Sequence, residues 1–283
     1  MKFENTEVFN IPGALRGMRN PLESWDKSDS FYCKDVVSCD CCDLEEECDK
    51  GETLLYDSFS VGKKDVELAQ RLIKGGSEHR KFLRQIMVSV DITAPLYFYK
   101  EFDTYKVGTV VNSTSTMHRL MSSPITTECF EMDDYPIRES CNLAMVNAIR
   151  NFPKDINMED QYQSTIVDIF DLAEMQALIC ESLRKSYVSC QNGAKDTEKY
   201  SKWEREQFSE SAKILWKMLV RFLPCAWLQT RTCTLTYENL YTMIRQRKDH
   251  KLTEWRVEFI NWCKTLPLAK EFLFYGLEDL YDA

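Results

Sequence analysis

A chain of 283 residues with 44% apolar and 12% aromatic content can bury a sizeable core, which excludes an intrinsically disordered polymer. Only 9 Gly and 8 Pro exclude low-complexity linkers and argue against a loop-rich β-sandwich. A net charge of −9 disfavours nonspecific nucleic-acid binding as the main activity.

The opening MKFENTEVFN has no apolar run of the kind a secretory signal needs. The most apolar stretch, Ile214–Leu228, is broken by Lys217, Arg221 and Pro224 and is too short to span a bilayer. The expectation is a soluble cytoplasmic protein with no membrane partner. Its thiols would then stay reduced, and the seven dispersed cysteines read as small core residues.

Along the chain, residues 1–31 predict a short strand and then a loop containing GALRGMRNPLESW. Arg16 and Arg19 beside Asn20-Pro21 make a small basic turn there, either a surface turn or a phosphate contact. Residues 32–60 keep neither helical nor strand periodicity and read as an acidic, Cys-rich insertion. Cys33, Cys39, Cys41, Cys42 and Cys48 are its metal candidates. Their intervals are not those of paired CxxC motifs, and the surrounding acids oppose thiolate formation, so no metal is expected. A helix is predicted over Lys64–Lys74, closed by Gly75-Gly76.

Ile86, Val88, Val90 and Ile92 alternate with Met87, Ser89 and Asp91, the clearest strand in the chain. Pro95 opens a predicted helix, PLYFYKEFDTYK, followed by a hydroxyl-rich loop, GTVVNSTSTMH. Thr109, Asn112, Ser113, Thr114, Ser115 and Thr116 supply donors suited either to phosphate or to ordinary Ser/Thr turns. Residues 120–158 are broken by Pro124, Pro136 and Pro153. Helices are predicted from Glu159 to Ser189 and over Lys202–Phe222, then a connector or strand in LPCAWLQTRTCTL, then helices over Tyr237–Arg247 and Leu252–Cys263.

Residues 217–256 carry eight Lys or Arg against three acids, either a solvated helix face or a ligand patch. Arg247 shares a helix face with Leu240, Met243 and Ile244, and a buried guanidinium needs a carboxylate or a phosphate. His79, His118 and His250 are too dispersed for a metal triad. Segments Gly75–His118 and Arg221–Arg256 are expected to meet in one site for an anionic nucleotide.

The pairing of these segments resembles the flavin-dependent thymidylate synthases. In that family an Ala-Pro pair leads, ten residues on, into Arg-His-Arg-x-x-Ser. Here Ala94-Pro95 leads to Thr104-Tyr105-Lys106-Val107-Gly108-Thr109. The family's Asn-Glu-x-Ser-x-Arg-Tyr is matched, one residue displaced, by Asn112-Ser113-Thr114-Ser115-Thr116-Met117-His118, with Met117 at the Arg position. Leu223-Pro224, Thr236, Leu240 and Arg247 fall at the family's offsets, and Glu78-His79 precedes the strand as a Glu-His pair does there. The likeness covers about residues 75–118 and 215–264.

The resemblance implies an α+β fold: a helix-rich single domain with a small sheet over residues 1–283, carrying the insertion at about 32–60. It implies FAD held by Thr104, Tyr105, Lys106, Thr109 and Thr236. A pyrimidine nucleotide (dUMP) would be held by Ser115, Thr116, Arg221 and Arg247. It also implies a homotetramer using NADPH and methylenetetrahydrofolate as co-substrates, with no cysteine nucleophile. Two readings stay open: a reductive methylation of dUMP to dTMP, and a noncatalytic nucleotide-binding or assembly protein on the same scaffold. A third, a zinc-stabilised interaction protein, rests on Cys33–Cys48 alone.

Overall fold

The computed structural model of the chain describes residues 1–32, 54–56, 59–116, 120, 122–131 and 169–283. Cys33–Cys48, Met117, His118 and the predicted helical start at Glu159 lie outside the described residues. The chain groups into two compact units. The first comprises Met1–Thr93, Lys100–Ser113 and Thr230–Ala283; the second comprises Ala94–Tyr99 and Thr114–Gln229.

The first unit is built on a four-stranded sheet. Its strands are β1 (Lys2–Phe9), β5 (Met87–Pro95), β6 (Val110–Ser113) and β7 (Leu228–Thr236), in the order β1-β5-β7-β6. β1 runs antiparallel to β5, pairing Phe3 with Ile92 and Val8 with Val88, and β6 runs antiparallel to β7, pairing Val110 with Thr234. Across β5 and β7, Thr93 meets Thr230 and Asp91 meets Thr232.

The period-2 pattern of β5 does what it predicts. Val88, Val90 and Ile92 are fully buried, while Asp91 sits on the polar face, where Asn5 and Thr232 donate to its carboxylate and lower its pKa. Short strands β2 (Phe31–Tyr32), β3 (Leu54–Tyr56) and β4 (Phe59–Val61) form a separate sheet, order β2-β4-β3, at the two ends of the predicted insertion, where the sequence showed no strand periodicity.

Helix α1 (Ile11–Met18) stands where the sequence predicts a loop. Local propensity hides it: Gly13 and Gly17 disfavour helix, and Asn10 at its start has a left-handed backbone (φ 68°) and no side-chain cap. Burial of Ile11, Ala14, Leu15 and Met18 at 3–4 spacing overrides that weakness. Helix α2 (Lys63–Lys74) buries Ala69, Ile73 and, unexpectedly, Asp65. The basic turn is corrected here as well. Arg19 is neither a surface turn nor a phosphate ligand, because its guanidinium lies 2.5 Å from the Asp65 carboxylate with both side chains almost wholly buried. Ser28 and Ser30 donate to the other oxygen of Asp65, so the pair is saturated.

Helix α3 (Leu96–Phe102) ends earlier than predicted. Thr104 and Tyr105 fold back in tight turns, their N–H groups donating to the Glu101 and Phe102 carbonyls at 3.1 and 3.0 Å. The hydroxyl-rich loop contains edge strand β6, a correction that its Val110-Val111 pair accounts for.

In the second unit, α4 (Ile169–Lys195) and α5 (Lys202–Phe222) pack on each other, and a Ser201–Glu204 capping box starts α5. Leu120, Ile125, Phe130, Ala177, Cys180, Leu219 and Trp227 form that unit's core. Glu181 accepts from Arg184 Nε and Nη2 at 2.7 Å each and from the Ile125 N–H at 2.8 Å. These bonds hold its carboxyl down at about 2.

In the first unit, α6 (Tyr237–Arg247) buries Tyr237, Leu240, Met243 and Ile244, and its bounds are those predicted. The predicted last helix is instead a π-helical turn, Glu254–Phe259, running into α7 (Ile260–Lys264). Another π turn, Ala269–Leu273, precedes α8 (Glu278–Asp282). No helix among the described residues is long and apolar enough to cross a membrane.

Candidate functional site

Within the first unit the two segments expected to meet do so around Arg247. The guanidinium emerges from the last turn of α6, and its Nε donates to the Tyr105 hydroxyl at 3.0 Å. That hydroxyl in turn donates to Gln246 Oε1 at 2.8 Å. The guanidinium carbon lies 5.1 Å from the Trp255 ring centre and 5.6 Å from that of Tyr105, within cation–π range of both. Trp255 is fully buried and packs on Phe102 and Phe259, so this wall is rigid.

Sequence reasoning missed the carboxylate that completes the cluster. Glu101 on α3 brings Oε2 to 2.7 Å from Arg247 Nη1 and 3.1 Å from His250 Nε2. The Leu252 N–H donates to His250 Nδ1 at 3.2 Å, so Nε2 is the nitrogen that carries a proton towards Glu101. Side-chain exposures of 19% for Arg247 and 33% for Glu101 leave the pair partly open to water, with the contacting Oε2 itself shielded. The one signal in the sequence was Glu101 itself, a carboxylate in a predicted helix leading into the site.

The other candidates spend their polar groups unequally. Thr104 donates to the Glu101 carbonyl at 2.7 Å. Thr236 caps α6, accepting from the Asn239 N–H at 3.3 Å and donating to its Oδ1 at 2.7 Å. Lys106 is exposed with no partner among the described residues. The Thr109 hydroxyl is shielded from water without a hydrogen-bond partner there, an arrangement that costs energy unless something supplies one. Between Lys106 and Thr109, Gly108 takes a positive φ of 77°.

Ser115, Thr116 and Arg221 belong to the second unit. Gln229 Nε2 donates to the Thr116 hydroxyl at 3.4 Å, Ser115 is exposed, and Arg221 is exposed near the end of α5.

The basic segment 217–256 is not one patch. Arg231 pairs with Asp103, Arg247 with Glu101 and Lys248 with Asp249. Arg245 donates to the Tyr241, Leu273 and Tyr275 carbonyls, and burial lowers its pKa. Lys217, Arg221, Lys251 and Arg256 are the exposed remainder. Burial pushes the Cys233 thiol up to about 12 and raises that of Cys263 well above the ordinary range, so both stay protonated. No cluster of metal ligands occurs among the described residues.

No protein-family model matches the chain, and no curated protein matches its sequence. Solved structures do match over nearly their whole length. A flavin-dependent thymidylate synthase from Helicobacter pylori, solved with FAD and dUMP, is 16% identical with a TM-score of 0.52, covering 97% of this chain and 98% of that one. A second structure of the Helicobacter pylori enzyme with FAD and dUMP, at 16% identity, gives a TM-score of 0.50 over 98% and 97% of the two chains. The chain has the fold of the flavin-dependent thymidylate synthases, a mixture of helices and a small sheet.

Proposed function

We propose that the chain is a flavin-dependent thymidylate synthase-like protein that binds FAD and a pyrimidine nucleotide, dUMP, and reductively methylates dUMP to dTMP. The observation that carries this reading is the Arg247 guanidinium, set between Tyr105 and Trp255 on a scaffold whose solved relatives hold both ligands. A guanidinium flanked by aromatic faces suits a ligand that joins a planar ring to a phosphate. On this reading Ser115, Thr116 and Arg221 of the second unit are further nucleotide contacts.

The residues present fit a phosphate-bearing cofactor through a small donor set. Lys106 brings an unspent cation, and Thr109 a shielded hydroxyl lacking a partner. Thr104, Tyr105 and Thr236 would add packing and shape, since their hydroxyls are already engaged. FAD, when bound and reduced, supplies a hydride; NADPH and methylenetetrahydrofolate are the co-substrates this reading requires. It takes the chain as one cytoplasmic synthase-like domain that assembles as a homotetramer.

One observation favours the alternative, a noncatalytic nucleotide-binding or assembly protein. Glu101 already neutralises Arg247, and Tyr105 engages its Nε. The visible absorption spectrum of purified protein, before and after adding FAD, separates the two. A flavin band that stays with the protein through gel filtration supports the enzyme reading. A colourless protein that ignores added FAD leaves the noncatalytic one.

A further inference from the structure

A second cavity lies in the first unit, built from β1, α1, the Trp25 turn and strands β2 and β4. Its volume is about 700 Å³, within the range of small-molecule sites. Four aromatic side chains at its wall, Phe9, Trp25, Phe31 and Tyr32, are 43–62% exposed. Aromatic groups left this accessible around one concavity mark a recognition surface rather than unfinished core.

The charge in the cavity is specific. The described residues lining it include two arginines and no carboxylate. Arg19 is cancelled by its buried contact with Asp65. Arg16 is exposed, and its guanidinium has no hydrogen-bond or ion-pair partner among the described residues. Among the described residues, one cation without a carboxylate partner therefore lines a ring-walled space in a chain whose net charge is −9. The Trp25 indole is held in place by donating to Asn20 Oδ1 at 2.9 Å, so its face is preset for stacking.

We propose that this cavity is a binding site for a small aromatic anion, with its ring against Trp25, Phe31 and Tyr32 and its negative group on Arg16. A cation is disfavoured there because the described residues of the lining offer it no carboxylate. A purely apolar ligand would gain the ring contacts and leave Arg16 unused. The assignment does not depend on the Arg247 cluster.

The test uses the intact chain and two probes of matched ring and opposite charge, naphthalene-2-sulfonate and 2-naphthylmethylammonium. Binding is followed by the Trp25 indole N–H signal in ¹H–¹⁵N spectra, assigned with Trp25→Phe and distinguished from those of the other tryptophans. The sulfonate should shift that signal and bind roughly two- to five-fold more tightly than the ammonium, as expected for one partly exposed charge contact. Arg16→Glu should reverse the preference while leaving the other indole signals unmoved, which would also show an intact fold. Absence of any Trp25 shift with either probe overturns the proposal. Equal affinity for both probes, or a preference that survives Arg16→Glu, overturns it too.

Discussion

If Arg247 is the phosphate ligand, then Glu101 competes with the ligand and removing its charge should tighten binding. Glu101→Gln keeps the side-chain shape and an oxygen that accepts from Arg247, so the cluster should survive. Unit charges at a few ångströms and an effective dielectric near 20 interact by about 4 kcal/mol. The pair is 19% and 33% exposed, and water and side-chain entropy reduce the usable part to roughly 1–2 kcal/mol. The substitution should therefore raise dUMP affinity by about five- to thirty-fold. Calorimetric titration of dUMP into both proteins reads this directly, with deoxyuridine as control because it lacks the phosphate. Unchanged or weaker dUMP binding by a variant with an unaltered melting profile would refute the reasoning. So would an equal gain for deoxyuridine, since the effect is assigned to the phosphate charge.

Arg247→Ala should lower dUMP affinity by about ten- to a hundredfold, the usual loss for a charge-assisted contact, while circular dichroism stays native; equal affinities would remove the residue from the site. Glu181→Gln should destabilise the protein, because its carboxyl is held down at about 2 from 4.5 and is only 13% exposed. The shift corresponds to about 3 kcal/mol at most, and residual water contact brings the expected cost at neutral pH to on the order of 2 kcal/mol. A depressed carboxyl stabilises above its unfolded value and loses that contribution as pH falls, so the gap in urea midpoint should narrow steadily below 4.5. A gap that is constant with pH would contradict the assignment. Glu254 has the opposite sign: it is 1% exposed and burial raises its pKa. Its ionisation then opposes folding as pH rises, and Glu254→Gln should be the more stable protein in alkaline melts but not in acid ones.

Much of the fold can be read from local pattern. The alternation through β5, the apolar face of α6 and the Ser201–Glu204 box at α5 are signals contained within one element. What escapes reading depends on partners distant in sequence. Glu101 is separated from Arg247 by most of the second unit, and nothing near it announces that pairing. Arg19 and Asp65 are 46 residues apart, so a basic turn gives no hint that its cation is sealed inside. Helix α1 is invisible for another reason, since its glycines and left-handed Asn10 disfavour it until the sheet offers a surface to cover. Of the candidate site, Tyr105 and Arg247 each stood out through the family's spacing, as cofactor and nucleotide candidates, but their contact with each other did not. The separation of Arg221, Ser115 and Thr116 into another compact unit was not, because sequence distance carries no record of it.

The Glu101–Arg247 pair also bears on how fast a ligand arrives. Seen from a distance the pair is a dipole rather than a positive pole, and it sits in a molecule of net charge −9. If the proposed site is right, an incoming dianion would meet a repulsive field and be drawn in only over the last few ångströms, within a screening length of the guanidinium. Phosphate sites with an open arginine slow their capture as salt is added, because salt removes their attraction. Here added salt would first relieve the long-range repulsion, so encounter should quicken at modest ionic strength even as the final contact weakens.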